Sequence, residues 1–123
     1  VAGERAYLSG QLSKDAEGRI VAGKIGEDLS LEEGKRAAQW AALQAGSLVL
    51  HELGLERVGQ ILRMVGFIQS ATDFHGQSEV MNSASELLVE IFGERGRHAR
   101  TSVGVASLPL NAAVEIELTL QLK

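Results

Sequence analysis

Hydrophobic positions recur along this chain with two different periods. Near the start, Ala6-Tyr7-Leu8-Ser9-Gly10 predicts a short strand, Leu12 to Gly18 a turn built on Ser13, Lys14, Asp15 and Gly18, and Arg19 to Lys24 a second, weaker strand paired with the first. After Gly26 the period lengthens. Ser30 followed by Glu33 is a capping box, and the apolar spacing beyond it predicts a helix over Leu31 to Leu53. The inner stripe of that helix, Gly34, Ala38, Ala41, Ala42, Ala45, Leu48 and Val49, is small at first and larger later, so the helix can lie close against a sheet. Trp40 and His51 fall at its margins.

Gly54 to Gly59 turns the chain into Ile61 to Gln69, an apolar run with Arg63 as its one charge, which predicts a central strand. Ser70 to Gly76 reads as a loop in which Asp73 is placed to cap the next helix. Gln77 to Phe92 is that helix, amphipathic, with Val80, Met81, Ala84, Leu87, Leu88 and Ile91 inward, Asn82 beside that face and Gly93 just past its end.

From His98 to Glu117 two alternating runs flank the only proline, Pro109, and predict a hairpin. One face of it carries Arg100, Ser102, Glu115 and Glu117, the other Val103, Val105, Val114, Ile116 and Leu118. The resulting order, β-β-α-β-α-β-β, predicts an α+β domain over residues 1–123, with a mostly antiparallel sheet carrying both helices on one face. The second sheet face is then either wet, in a monomer, or covered by copies of the same chain.

Composition narrows the function. A net charge of -4 and a pI near 5.4 argue against a nucleic-acid surface built on bulk charge, with Arg95, Arg97, His98 and Arg100 as the one basic cluster. No apolar run is long enough to cross a bilayer, and the absence of cysteine excludes disulfides, thiolate metal sites and a thiol nucleophile. A reducing, cytoplasmic setting is compatible with this. The chain opens on Val1 and reads as a strand from Ala6, so further residues are expected before Val1.

Familiar catalytic motifs are missing. His51, His75 and His98 lack metal-ligand spacing, and no phosphate loop, dinucleotide fingerprint or G-x-S-x-G elbow occurs. Folding the hairpin about Leu108-Pro109 would set Arg100 opposite Glu115 and Glu117. Such a set is either a cross-strand ion pair on a wet face, worth at most about 1 kcal/mol, or an arginine anchor for a carboxylate beside a glutamate that holds a water. Gly10 either ends its strand or, lacking a Cβ, admits a ligand close to the backbone.

The residues HARTSVGVASLPLNAAVEIE, together with YLSGQ at Tyr7 to Gln11, GFIQSATDF at Gly66 to Phe74 and the VMNSASELLVEIFG helix, resemble the Rid (YjgF-like) family of reactive-intermediate deaminases over nearly the whole chain. The stretch GEDLSLEEGKRAA is more similar to a branch whose activity is less well defined than that of the archetypal enzymes. The resemblance implies a chorismate-mutase-like fold, a homotrimer with three intersubunit clefts, and hydrolysis of 2-enamine or 2-imino acids to 2-keto acids and ammonia without metal or cofactor. It implies that Arg100 clamps the substrate carboxylate, aided by the backbone N–H of Ser102, and that Glu115 orients the water. Ser9, Gly10, Phe74 and Asn82 fall with the substrate-binding positions. Two departures stand out: archetypal members place an aromatic residue upstream of the first strand, in a segment that the sequence beginning at Val1 does not include, and Leu110-Asn111 replaces a pair that is usually charged or contains glycine. The alternatives are a trimer that binds a small carboxylate without turning it over, and the older family label of endoribonuclease or translation inhibitor, which the acidic charge and lack of a stacking platform disfavour.

Overall fold

A computed structural model describes residues 1–123. In chain order it contains strand β1 (Arg5–Leu12), helix α1 (Leu31–Glu52), strand β2 (Val58–Gln69), helix α2 (Gln77–Phe92), and strands β3 (Ala99–Val105) and β4 (Val114–Leu122). The capping box forms as predicted: the Glu33 N–H donates to Ser30 Oγ at 3.1 Å and Ser30 N–H to Glu33 Oε1 at 2.9 Å. The start of α2 differs. Asp73 makes no cap; Gly76 occupies the N-cap position without a side-chain bond, and Gln77 Nε2 reaches back to the Phe74 carbonyl at 2.8 Å.

The strands lie in the order β1-β4-β2-β3. β4 is antiparallel to both β1 and β2, while β2 and β3 are parallel. The sheet is therefore mixed, mostly antiparallel, with both helices against one face. The expected strand at Arg19 to Lys24 does not form. That segment makes only isolated bridges, Lys14 to Ile20 and Ala22 to Ala112, because Val21 is tied to Ser13 on one side and Ala113 on the other in a short irregular crossing.

The core lies between the helices and one sheet face. Ile61, Met64 and Ile68 of β2 and Val114, Ile116, Leu118 and Leu120 of β4 alternate inward against Ala37, Ala38, Ala41, Ala42 and Ala45 of α1 and Val80, Met81, Ala84 and Leu88 of α2. Small residues set the spacing. A Cβ at Gly66 would come within 2.5 Å of Met81 Cε, and one at Gly34 within 2.8 Å of Ile25 Cδ1.

The predicted hairpin is wrong, and the reason is specific. β3 and β4 are not neighbours, since β2 lies between them. The connection from Ala106 to Ala113 crosses over the end of β2, where Gln69, 2% exposed, holds it. Gln69 Nε2 donates to the Asn111 Oδ1 at 2.8 Å and to the Gly23 carbonyl at 3.0 Å, and its Oε1 accepts the Leu108 N–H at 2.7 Å. Within that connection Leu110 (φ 57°) and Asn111 (φ 58°) are both left-handed. This is a natural place for glycine.

Candidate functional site

Register decides where each candidate residue points. Arg100 pairs with Met64 and Ser102 with Gly66, both inward positions of β2, so Arg100 and Ser102 lie on the helix side of edge strand β3. Glu115 and Glu117 pair with Phe67 and Val65, between the inward positions, and lie on the opposite face. Arg100 and Glu115 are thus two strand spacings and three residues apart, roughly 14 Å between backbones, on different faces of the sheet. The cross-strand set read from the sequence does not exist within one chain.

The candidates gather instead into two groups near the two edges of the sheet. At the β3 edge the Arg100 guanidinium lies along α2: Nη1 donates to Ser85 Oγ at 3.1 Å and Nη2 to the Ser78 carbonyl at 3.3 Å. Asn82, exposed, sits on α2 between those residues, four positions after Ser78 and three before Ser85, on the same helix flank. Ser102 follows two residues along the strand, and its Oγ is buried without a hydrogen-bond partner. An orphaned hydroxyl beside an arginine is an unfilled polar demand. Further along the same edge, Phe74 lines a hollow of about 500 Å³ with Lys24, Gln77, Val103 and Gly104.

At the other edge the β1 ladder is irregular between Leu8 and Gln11, and Gly10 lies in that irregularity. A Cβ on Gly10 would overlap the Glu115 carboxylate. The glycine is needed there, but the group that approaches its backbone is this chain's own glutamate. Ser9, one residue before, is exposed and lines a separate hollow of about 480 Å³ with Leu48, Val49, Glu52 and Arg57. Glu117 lines a smaller one with Tyr7, Arg63 and Thr119.

Two further residues stand beside Arg100: Ser85, which no sequence pattern singles out, and His98, legible only as one of the basic cluster. His98 Nε2 is 2.9 Å from Ser85 Oγ, and its Nδ1 is 2.6 Å from the Gly96 carbonyl oxygen. The usable signal was the two-residue spacing of His98 and Arg100, which puts both on one face of the strand. The basic cluster itself is divided: Arg97 Nε pairs with Glu94 Oε2 at 3.0 Å, and Arg95 Nη1 donates to the carbonyls of Leu55 and Val58, both at 3.0 Å. No three His, Asp or Glu side chains gather where a metal ion would be held.

No helix is long and apolar enough to cross a membrane. A family model described as YjgF/chorismate mutase-like, putative endoribonuclease, matches residues 1–122. The chain is 43% identical over 122 residues to Protein TCP17 of Trypanosoma cruzi, covering 98% of this chain and 76% of that one. Among solved structures, a protein of unknown function from Agrobacterium tumefaciens superposes with a TM-score of 0.95 at 38% identity, over 99% of this chain and 79% of the other. A putative endoribonuclease from Shewanella oneidensis gives 0.93 at 31% identity, over 98% and 81%.

Proposed function

Because the chain belongs to the YjgF/chorismate mutase-like (Rid) family, we propose that it hydrolyses reactive 2-enamine or 2-imino acids to 2-keto acids and ammonia in clefts between subunits of a homotrimer. The observation that carries the intersubunit part is the division of the candidate residues between the two ends of the strand order. Arg100, Ser102 and Asn82 stand at the β3 edge, while Gly10 and Glu115 stand at the β1–β4 edge. A head-to-tail contact that sets the β1–β4 edge of one subunit beside the β3 edge of the next uses both edges once per subunit, and it closes into a ring when the rotation is right. The sheet face turned away from the helices, with Tyr7 and Val103 exposed and Val65, Phe67 and Val105 half-buried, then turns toward the centre of the ring.

The chemistry asked of these groups is modest. Arg100 holds the substrate carboxylate through paired N–H bonds. Glu115, from the neighbouring subunit, holds a water over C2 of the imine and accepts its proton as the C–O bond forms. That proton passes to nitrogen to give the carbinolamine; the proton of the new C2 hydroxyl then passes through the same carboxylate to the amine, the C–N bond breaks, ammonia leaves and the C2 carbonyl remains. Fixing the water and the imine in one geometry is the main contribution of such a site. The substrate is a small carboxylate-bearing metabolite, and no metal or organic cofactor takes part.

The test uses an imino acid generated in place by an amino-acid oxidase, with keto-acid appearance followed over time. Arg100→Ala is expected to abolish the acceleration while sedimentation still shows the parent assembly. Unchanged turnover in that variant overturns the proposal. Retained binding of 2-oxobutanoate by the parent with no turnover of any imine would favour the non-catalytic alternative. An RNA-directed activity receives little support, because Arg95 and Arg97 are engaged within the chain.

A further inference from the structure

The Arg100 guanidinium is held by a directed chain of hydrogen bonds that begins at Gly96. A Cβ at Gly96 would run into the Leu88 carbonyl oxygen, so only glycine lets the chain pass this close to α2. Two residues later His98 arrives against Ser85. A carbonyl oxygen can only accept, so at 2.6 Å from the Gly96 oxygen the His98 Nδ1 carries a proton. In the neutral ring Nε2 is then an acceptor, and at 2.9 Å the Ser85 hydroxyl donates to it. With its only proton committed, Ser85 Oγ presents lone pairs alone, and Arg100 Nη1 donates to it at 3.1 Å. Each role in the sequence Gly96, His98, Ser85, Arg100 is fixed by the one before.

We propose that His98, acting through Ser85, is a positioning residue for Arg100, locking the guanidinium along α2 so that its remaining N–H groups face a ligand carboxylate. This rests on the reading of Arg100 as the carboxylate anchor. Of the five guanidinium N–H groups, the Ser85 and Ser78 bonds take one each. The other three are enough for a two-pronged grip on a carboxylate. Without the Ser85 bond the long side chain regains rotamer freedom that ligand binding must then remove. The hollow beside these residues, about 420 Å³, is lined by Ser85, Val89, Arg97, His98 and Arg100. Its other cation, Arg97, is turned to Glu94 at 3.0 Å, and α2 adds no charge to it.

The experiment uses the assembled protein and 2-oxobutanoate as probe, with affinity measured by calorimetry and the imidazole tautomers read from nitrogen-15 NMR. Ser85→Ala and His98→Phe should each weaken the probe about tenfold, the worth of one hydrogen bond to a charged group. The double variant should be no weaker than Ser85→Ala alone, because both remove one chain of bonds. Ser85→Thr and His98→Gln, which keep the hydroxyl and an acceptor at the Nε2 position, should restore most of the affinity. Additive losses, or no rescue by Ser85→Thr and His98→Gln, overturn the proposal. The tautomer decides separately: His98 must carry its proton on Nδ1, and a proton on Nε2 refutes the chain of bonds whatever the protein binds. If Arg100→Ala binds the probe as tightly as the parent, the carboxylate-anchor reading fails on its own, and the tautomer still tests the chain.

Discussion

Replacing Gln69 by leucine keeps the side-chain volume and removes the side-chain hydrogen bonds that Gln69 makes to the β3–β4 connection and to Gly23, while the backbone bonds of Asn111 and Ala113 remain. Three partners lose their bonds: the Leu108 N–H at 2.7 Å, Asn111 Oδ1 at 2.8 Å and the Gly23 carbonyl at 3.0 Å. Asn111 is exposed and can turn to water. Gly23 is buried and Leu108 half-buried, so those two groups are stranded, at about 1–3 kcal/mol each. The leucine recovers part of this through its own burial, which leaves a net loss of about 3 kcal/mol. With a urea slope of about 1–3 kcal/mol per molar, the unfolding midpoint should fall by about 1–3 M. The measurement is urea unfolding followed by far-UV circular dichroism at fixed protein concentration, since assembly shifts apparent stability. A loss below about 1 kcal/mol would refute the claim that Gln69 holds the crossing.

Three further perturbations test other parts of the account. Leu110→Asn should stabilise the chain by up to about 1 kcal/mol, because asparagine tolerates the left-handed conformation that leucine adopts here at φ 57°; a lower melting temperature would contradict this. Gly10→Ala should leave the fold intact but displace the Glu115 carboxylate, which lies over the Gly10 backbone, and so abolish imine turnover; full activity would show that the seat of Glu115 does not matter. Glu33 is held below the ordinary glutamate range by the Ser30 N–H, then by the Ser30 hydroxyl, with a smaller effect of the Arg36 charge. Its contribution to stability is therefore present above the unfolded glutamate pKa and is lost as pH falls through the lowered folded one. Glu33→Gln should be less stable than the parent at neutral pH, and the gap should close in acid; a gap that persists at about pH 2 would contradict that sign.

Local signals carried most of the fold. The capping box placed the start of α1, alanine spacing its buried stripe, and apolar density the central strand, because each depends on residues close in sequence. The Gln77 to Phe92 helix formed with those limits. What failed was non-local. Arg100 to Glu117 alternates on both sides of Pro109, and nothing in that alternation reveals that Gln69, about forty residues earlier, draws the connection over β2. The shared face of Arg100, Ser102, Glu115 and Glu117 required the alternation to change between the two strands, whereas even-numbered residues face the helices in both β3 and β4. The site was legible as a set of residues through the family resemblance, but not as a geometry. Ser85 escaped notice because a serine within a helix carries no mark until His98 and Arg100 are seen against it.

The central claim is that Arg100 and Glu115 act together across a subunit boundary. Refolding Arg100→Ala and Glu115→Ala chains together, each inactive alone, tests it most directly. In a randomly mixed trimer about a quarter of the clefts pair an intact arginine from one chain with an intact glutamate from the next. Imine hydrolysis should return to about a quarter of the parent rate per cleft. If the mixture remains as inactive as either variant alone, the two residues do not form one site between subunits.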